Sequence, residues 1–408
     1  MDFATATQCR RADTLSPDNR LTPLFTNSTV PTASPFHRSM VRHEQHLQWL
    51  FHGHQSLSRD WLKVHAACDP ELADWLILRL RLPGAEQRIA HWPAVWQHQW
   101  SGWQLYYQGE YRAAAQQFLQ AWPSALADRE DRGPATDLAL GLGKVYTRSG
   151  HWEAARSWIL CSLDWARADH RLFAVTEGYG ALGELLLRAG QAQAAQTCMG
   201  TAYQLLPPGA GQQAKQLNYL ASALMRNGAL LRSESLLMTS LHMALDQGDT
   251  DSVWHTLARL QFLQLQNPEH AQAKDITTTM AAYLPSTRTT VACGFLAIGQ
   301  ALLLARQGLS ADAIVAIQVA LNDLDGRFPL ERIWAQRLLC ALQGIAYTPD
   351  SELLALTCMT AAQPPVLTSV LDLTWSLLPL PSDNGFAALL GPLQSLEQEA
   401  LAWHAFFI

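Results

Sequence analysis

The sequence predicts an all-α protein built as a solenoid of helical hairpins. Three observations carry this expectation. From about residue 38 onward, apolar residues recur at steps of three and four, the spacing of one helix face. No stretch alternates apolar and polar residues with β-branched enrichment, so a sheet is not expected. Helix breakers recur at a fixed interval, with Gly109, Gly150, Gly190, Gly228 and Gly308 separated by 41, 40, 38 and 80 residues. The last interval is twice 40, and Asn267-Pro268 stands where the missing breaker should fall. Asp69-Pro70 and Pro349 extend the series outward at either end. A glycine supplies the left-handed residue that ends one helix, and a proline or aspartate opens the next. One helix pair cannot bury its apolar face alone, whereas stacked pairs bury it mutually.

In chain order, residues 1–37 are polar and rich in Pro, Ser and Thr, and are expected to form a flexible arm. Residues 38–93 are expected to be N-terminal helices or a degenerate unit. The regular array is expected over 94–328, and residues 329–408 are expected to be C-terminal helices that cap it. The tail "LEQEALAWHAFFI" is read as the last helix of that cap, with insertion of Trp403, Phe406, Phe407 and Ile408 into a partner as the alternative.

The units resemble tetratricopeptide repeats (TPRs). The unit at Gly190 carries Tyr179, Leu182, Gly183, Leu186, Ala195, Met199, Ala202 and Pro207 at the places of the family's motif. The unit at Gly150 carries Leu142, Gly143, Tyr146, Trp152, Ala155 and Ile159, and departs from it at Ala139. The unit at Gly109 has Gly102, Leu105, Tyr111, Ala114, Phe118 and Ala121. That at Gly228 has Leu217, Leu220, Ala221 and Leu224, and that at Gly308 has Ala301, Leu304, Ala313, Ile317 and Ala320. Small residues in the first helix let its partner approach closely. The resemblance implies a right-handed superhelix with a concave groove lined by first helices. The period of about 40 exceeds the family's simplest unit. By period alone, it is similar to the long bacterial-type arrays of MalT-type activators and Rap-type sensors. No helix-turn-helix or phosphate-binding loop accompanies it.

Composition narrows the function classes. The net charge is −6 with 16% charged residues, and no Lys or Arg follows Arg337. This balance points away from nucleic acid and from anionic membrane. The seven scattered cysteines form no CxxC pair, which suits thiols in a reducing, cytoplasmic compartment. His43 and His46 could share a helix face, but no acid or cysteine pair completes a metal set, and no metal or other cofactor is expected. No GxSxG elbow, phosphate loop or paired-ligand motif is present, so an enzyme is not expected.

Two features suggest a binding surface. Trp92, Trp96, Trp100 and Trp103, followed by Tyr107, fall on one helix face. About 100° of turn per residue sets them nearly opposite His98, Gly102 and Leu105, the face expected to pack within the unit. They either pack on residues 60–90 or form an aromatic wall in the groove. Arg148, Arg188, Arg226 and Arg306 each stand two residues before a turn glycine, with Tyr107 in that place in the first unit. A cation there complements the helix dipole. In the family's geometry the same column borders the groove, where guanidinium groups suit carboxylates. Trp96, Trp100, Trp103, Tyr107 and the four arginines are therefore the candidate partner-binding residues. The expected function is a non-enzymatic adaptor or co-chaperone holding a protein or peptide segment, acidic or apolar, in the groove. The alternative is a regulatory sensor whose array binds a small ligand or signalling peptide and controls a transcription or signalling partner.

Overall fold

A computed structural model describes residues 92–127, 132–206, 212–247, 249–265, 275–281, 290–324 and 329–348, together with short pieces that include 361–362. The expected arm, most of 38–93, the His43–His46 pair, the breakers at Pro70, Pro268 and Pro349, and the tail helix lie outside the described residues. Among the described residues the secondary structure is helical throughout. The fold is the expected all-α, TPR-like helical-hairpin solenoid.

Hairpins form at each glycine the sequence singled out. Helices α1 (Ala94–Tyr107) and α2 (Tyr111–Ala127) flank Gly109, and α3 (Gly133–Arg148) and α4 (Trp152–Ala168) flank Gly150. Helices α5 (Leu172–Arg188) and α6 (Ala192–Leu205) flank Gly190, and α7 (Gln213–Arg226) and α8 (Leu230–Gln247) flank Gly228. The irregular fifth unit contributes α9 (Thr250–Leu265) and α10 (residues 275–281). Helices α11 (Thr290–Arg306) and α12 (Ser310–Leu324) flank Gly308, and α13 (Pro329–Gln343) ends at Gly344.

All six of these glycines are left-handed, with φ between +67° and +82°. In each cap the N–H of the next residue reaches back five positions, as Glu110 to Leu105 and Gln191 to Leu186, at 2.8 to 3.1 Å. This satisfies a helix-end carbonyl while the chain reverses. Gly344 extends the series beyond the five predicted glycines, five residues ahead of the predicted breaker at Pro349.

Packing within a hairpin follows one register. The residues 5, 9 and 12 places after the turn glycine are buried: Ala114, Phe118 and Ala121; Ala155, Ile159 and Ser162; Ala195, Met199 and Ala202; Ser233, Leu237 and Ser240; Ala313, Ile317 and Ala320. In the first three hairpins a glycine in the first helix receives the second of the trio. A Cβ at Gly102 would lie 2.4 Å from the Phe118 ring, and one at Gly143 2.5 Å from the Ile159 side chain. One contiguous apolar core runs from α2 to α13.

The first helices of successive units pack directly on one another: α1 on α3, α3 on α5, α5 on α7, α7 on α9, and α11 on α13. No two second helices pack on each other to that extent among the described residues. The row whose members sit closer is the inside of the curve, so first helices line the concave face.

Candidate binding groove

The concave face centres on α5, whose two acids each bind two cations. Glu177 accepts from Lys144 of α3 at 3.2 Å and from Lys215 of α7 at 2.9 Å. Glu184 uses one oxygen, Oε1, for Arg148 of α3 at 3.0 Å and for Arg188, one turn further along α5, at 3.3 Å. Side chains of three consecutive units are thus tied across the inner surface. The carboxylates and Arg188 are largely withdrawn from water, with the Arg188 side chain 4% exposed and that of Glu184 12%, whereas the Lys215 side chain is 36% exposed.

Burial acts against every charge in this network, and at all but Arg188 the partners outweigh it. At Glu184 burial works to raise the carboxyl, but Arg148 and Arg188 outweigh it and hold it at about 2. At Glu177 burial is likewise overcome, by Lys215 and then Lys144, and the carboxyl is held well below the usual range. Burial would lower Lys144, yet Glu177 raises it. The two guanidinium groups differ. Burial is outweighed at Arg148 by Glu184, so that group is raised, whereas burial and then the neighbouring Arg148 lower Arg188. The shared oxygen therefore serves Arg148 better, as its shorter distance implies. Glu331, in the first turn of α13, is 4% exposed, and its Oε2 has no hydrogen-bond partner. Burial raises this carboxyl, with Arg148 and Arg188 close enough to pull the other way.

An aromatic group adjoins the charges. Trp103 stacks on Tyr107 at 6.1 Å and meets Tyr106 edge-on at 5.6 Å. The Lys144 ammonium lies 5.8 Å from the centre of the Trp103 ring, within the range of a cation–π contact. Trp103 also meets Phe118 of α2 at 5.4 Å, so this indole belongs partly to its own hairpin. Trp96 and Trp100 are half-buried, with Trp96 edge-on to Trp92 at 6.3 Å, and Tyr107 is 59% exposed. None of the four tryptophans is fully buried. The opposite face packs within the hairpin as expected: His98 Nδ1 lies 2.8 Å from Gln117 Oε1, and Gly102 lies under Phe118.

The four candidate arginines fall into two kinds of place. Arg148 and Arg188 converge on Glu184, while Arg226 and Arg306 are exposed at the ends of α7 and α11. The structure brings Trp103 together with Lys144, not with an arginine. Sequence reading missed Lys144, Glu177, Glu184 and Lys215, although a signal existed. Trp103, Lys144 and Glu184 each stand six places before a turn glycine, and Glu177 and Lys215 thirteen places before one. Reading those columns beside the arginine column locates the network.

Among the described residues no cluster of His, Cys, Asp and Glu could hold a metal ion, and no helix is long and apolar enough to cross a membrane. Cys161 and Cys198 are buried core residues, and burial pushes the Cys161 thiol up to about 12.

No protein-family model matches the chain, and no curated protein matches it. Among solved structures the chain is similar to a Rap protein crystallised in complex with competence and sporulation factor. The TM-score is 0.55 at 10% sequence identity, over 79% of this chain and 100% of that one. At that identity the likeness is one of fold, and it is to a TPR-like helical repeat.

Proposed function

We propose that the protein is a non-enzymatic adaptor that holds an acidic segment of a partner protein or peptide in the concave groove. One observation carries the reading: four cations, Lys144, Arg148, Arg188 and Lys215, share two carboxylates, Glu177 and Glu184. Buried charge is costly unless paired. Guanidinium and ammonium groups bind carboxylates strongly, so a cluster of them on the concave face suits the acids of a ligand. Trp103 and Tyr107, beside Lys144, offer apolar area to residues flanking the acids. The half-buried Trp96 and Trp100 extend that area along α1, and the exposed Arg226 and Arg306 supply positive charge at the rim.

A second reading is supported by the likeness to the Rap protein over its whole length. In it the array is a sensor, and occupancy of the groove by a signalling peptide or small ligand controls a transcription or signalling partner. Both readings place the ligand in the same groove.

The test is fluorescence anisotropy with a labelled octapeptide of alternating Glu and Leu, against a Lys-Leu control, on the full chain. The Glu-Leu probe is expected to bind, and to lose about tenfold in affinity between about 50 and 300 mM salt. The double substitution Lys144→Ala, Lys215→Ala is expected to weaken it by a further factor of about ten. Equal binding of the Lys-Leu control sinks the reading.

A further inference from the structure

Behind the groove, the second unit holds a piece of chain from far along the sequence. The Ala362 N–H donates to Tyr146 Oη at 2.9 Å, and the Trp158 Nε1–H donates to the Ala362 carbonyl at 2.8 Å. These bonds span 216 and 204 residues of sequence. Backbone groups in helices are satisfied within the helix. At Ala362, which lies outside any helix, both main-chain groups of one residue go instead to two side chains.

The notch lies on the side of α3 away from the groove. Tyr146 stands two residues from Lys144 and two from Arg148, and two residues turn a helix by about 200°. Its walls are fixed. Tyr146 and Trp158 are fully buried, His151 lies edge-on to Tyr146, and Trp122 meets Trp158 edge-on at 4.7 Å and stacks on Trp165. With Ala362 in place the indole N–H and the phenol oxygen are both paired and shielded from water, whereas an empty notch would need water to replace both bonds. The site therefore favours being filled by main chain.

The occupant defines the ligand. The position read is a small residue, Ala362, preceded by Ala361, which packs on the core. Pro364 and Pro365 follow in the sequence and disfavour helix in the residues before them. At Ala362 the two bonds go to main-chain atoms and need no polar side chain at that position. Any extended segment with a small residue and a proline two places later meets the same requirements.

We infer that Tyr146 and Trp158 form a second peptide site, filled in cis by the segment at Ala361–Ala362, and that an extended small-residue–proline segment of a partner competes for it. Being part of the same chain, the cis occupant competes intramolecularly. The segment is thus a built-in inhibitor that weak ligands do not displace. This site is separate from the groove and does not depend on what the groove binds.

The experiment uses the full chain and a labelled peptide of its own sequence 359–366, MTAAQPPV. Ala362→Pro removes the N–H that Tyr146 accepts and weakens the cis occupant. The peptide is expected to bind this variant about tenfold or more tighter than the unsubstituted protein, and adding Tyr146→Phe is expected to reverse most of that gain. Equal affinity for the unsubstituted and Ala362→Pro chains overturns the inference, as does a gain that Tyr146→Phe leaves intact. Should Ala362→Pro fail to fold, amide hydrogen exchange on the unsubstituted and Tyr146→Phe chains decides. The Ala362 amide is expected to exchange at least about tenfold faster in Tyr146→Phe while the α5 amides stay unchanged. An unchanged Ala362 rate overturns it.

Discussion

Helices α4 and α8 are the second helices of two similar hairpins, and their outer faces have opposite fates. Both follow a left-handed glycine, and both bury the residues 5, 9 and 12 places beyond it. Ten places beyond it, however, Leu160 of α4 is 7% exposed and Met238 of α8 is 38% exposed. Every residue from Trp152 to Arg167 is buried or half-buried, whereas Leu231 of α8 is 86% exposed. The register of the hairpin thus governs only the face that meets the first helix. The outer face is decided by what the rest of the chain lays over it, and on α4 Ala362 is part of that cover.

The largest effect expected from this difference is at Trp158. Trp158→Ala removes a fully buried indole and its hydrogen bond, and should cost about 3–5 kcal/mol. Met238→Ala should stay within about 0.5 kcal/mol. Denaturant midpoints of the two variants check this, and equal losses would break the comparison.

The same contrast applies on the concave side between Arg188 and Arg226. Arg188→Ala removes one of the cations on Glu184 in a buried setting, and should cost about 3 kcal/mol. The exposed Arg226 should cost little in Arg226→Ala, under about 0.5 kcal/mol. Thermal melts of both variants, compared with the Met238→Ala variant, tell whether inner pairing or outer cover dominates.

The smallest effect is set by pH. Glu184 is held at about 2, below the value near 4.3 that it takes in the unfolded chain. Its contribution is therefore fully present above about pH 4.3 and is lost as pH falls toward 2, an effect of order 2 kcal/mol. Stability measured from pH 5 down to 2 should fall less steeply in Glu184→Gln than in the unsubstituted chain. Parallel curves would show that this carboxylate is not held down by its arginines.

How much of this was legible in the sequence depends on where the physical signal sits. A left-handed φ demands glycine at Gly109, and close approach demands the small residue at Gly102, so both are written in residue identity. The trio Ala155, Ile159 and Ser162 is legible for the same reason, since it repeats in every regular unit. The ion network was half legible. Its arginines were visible as a column, but Glu184 draws in Arg148 and Arg188 and not Arg226, a choice made by packing between units. The contact at Ala362 was not legible. It is made by main-chain groups, which every residue carries, and an alanine gives no sign of what its backbone meets.

Glu177 has a mechanical meaning beyond its charge. It fastens α5 to α3 on one side and to α7 on the other, so one side chain pins two successive joints on the inside of the curve. A ligand acid that drew off Lys144 or Lys215 would do more than fill a site. On the proposed reading it would loosen a joint, and with it change the stiffness and curvature of the coil.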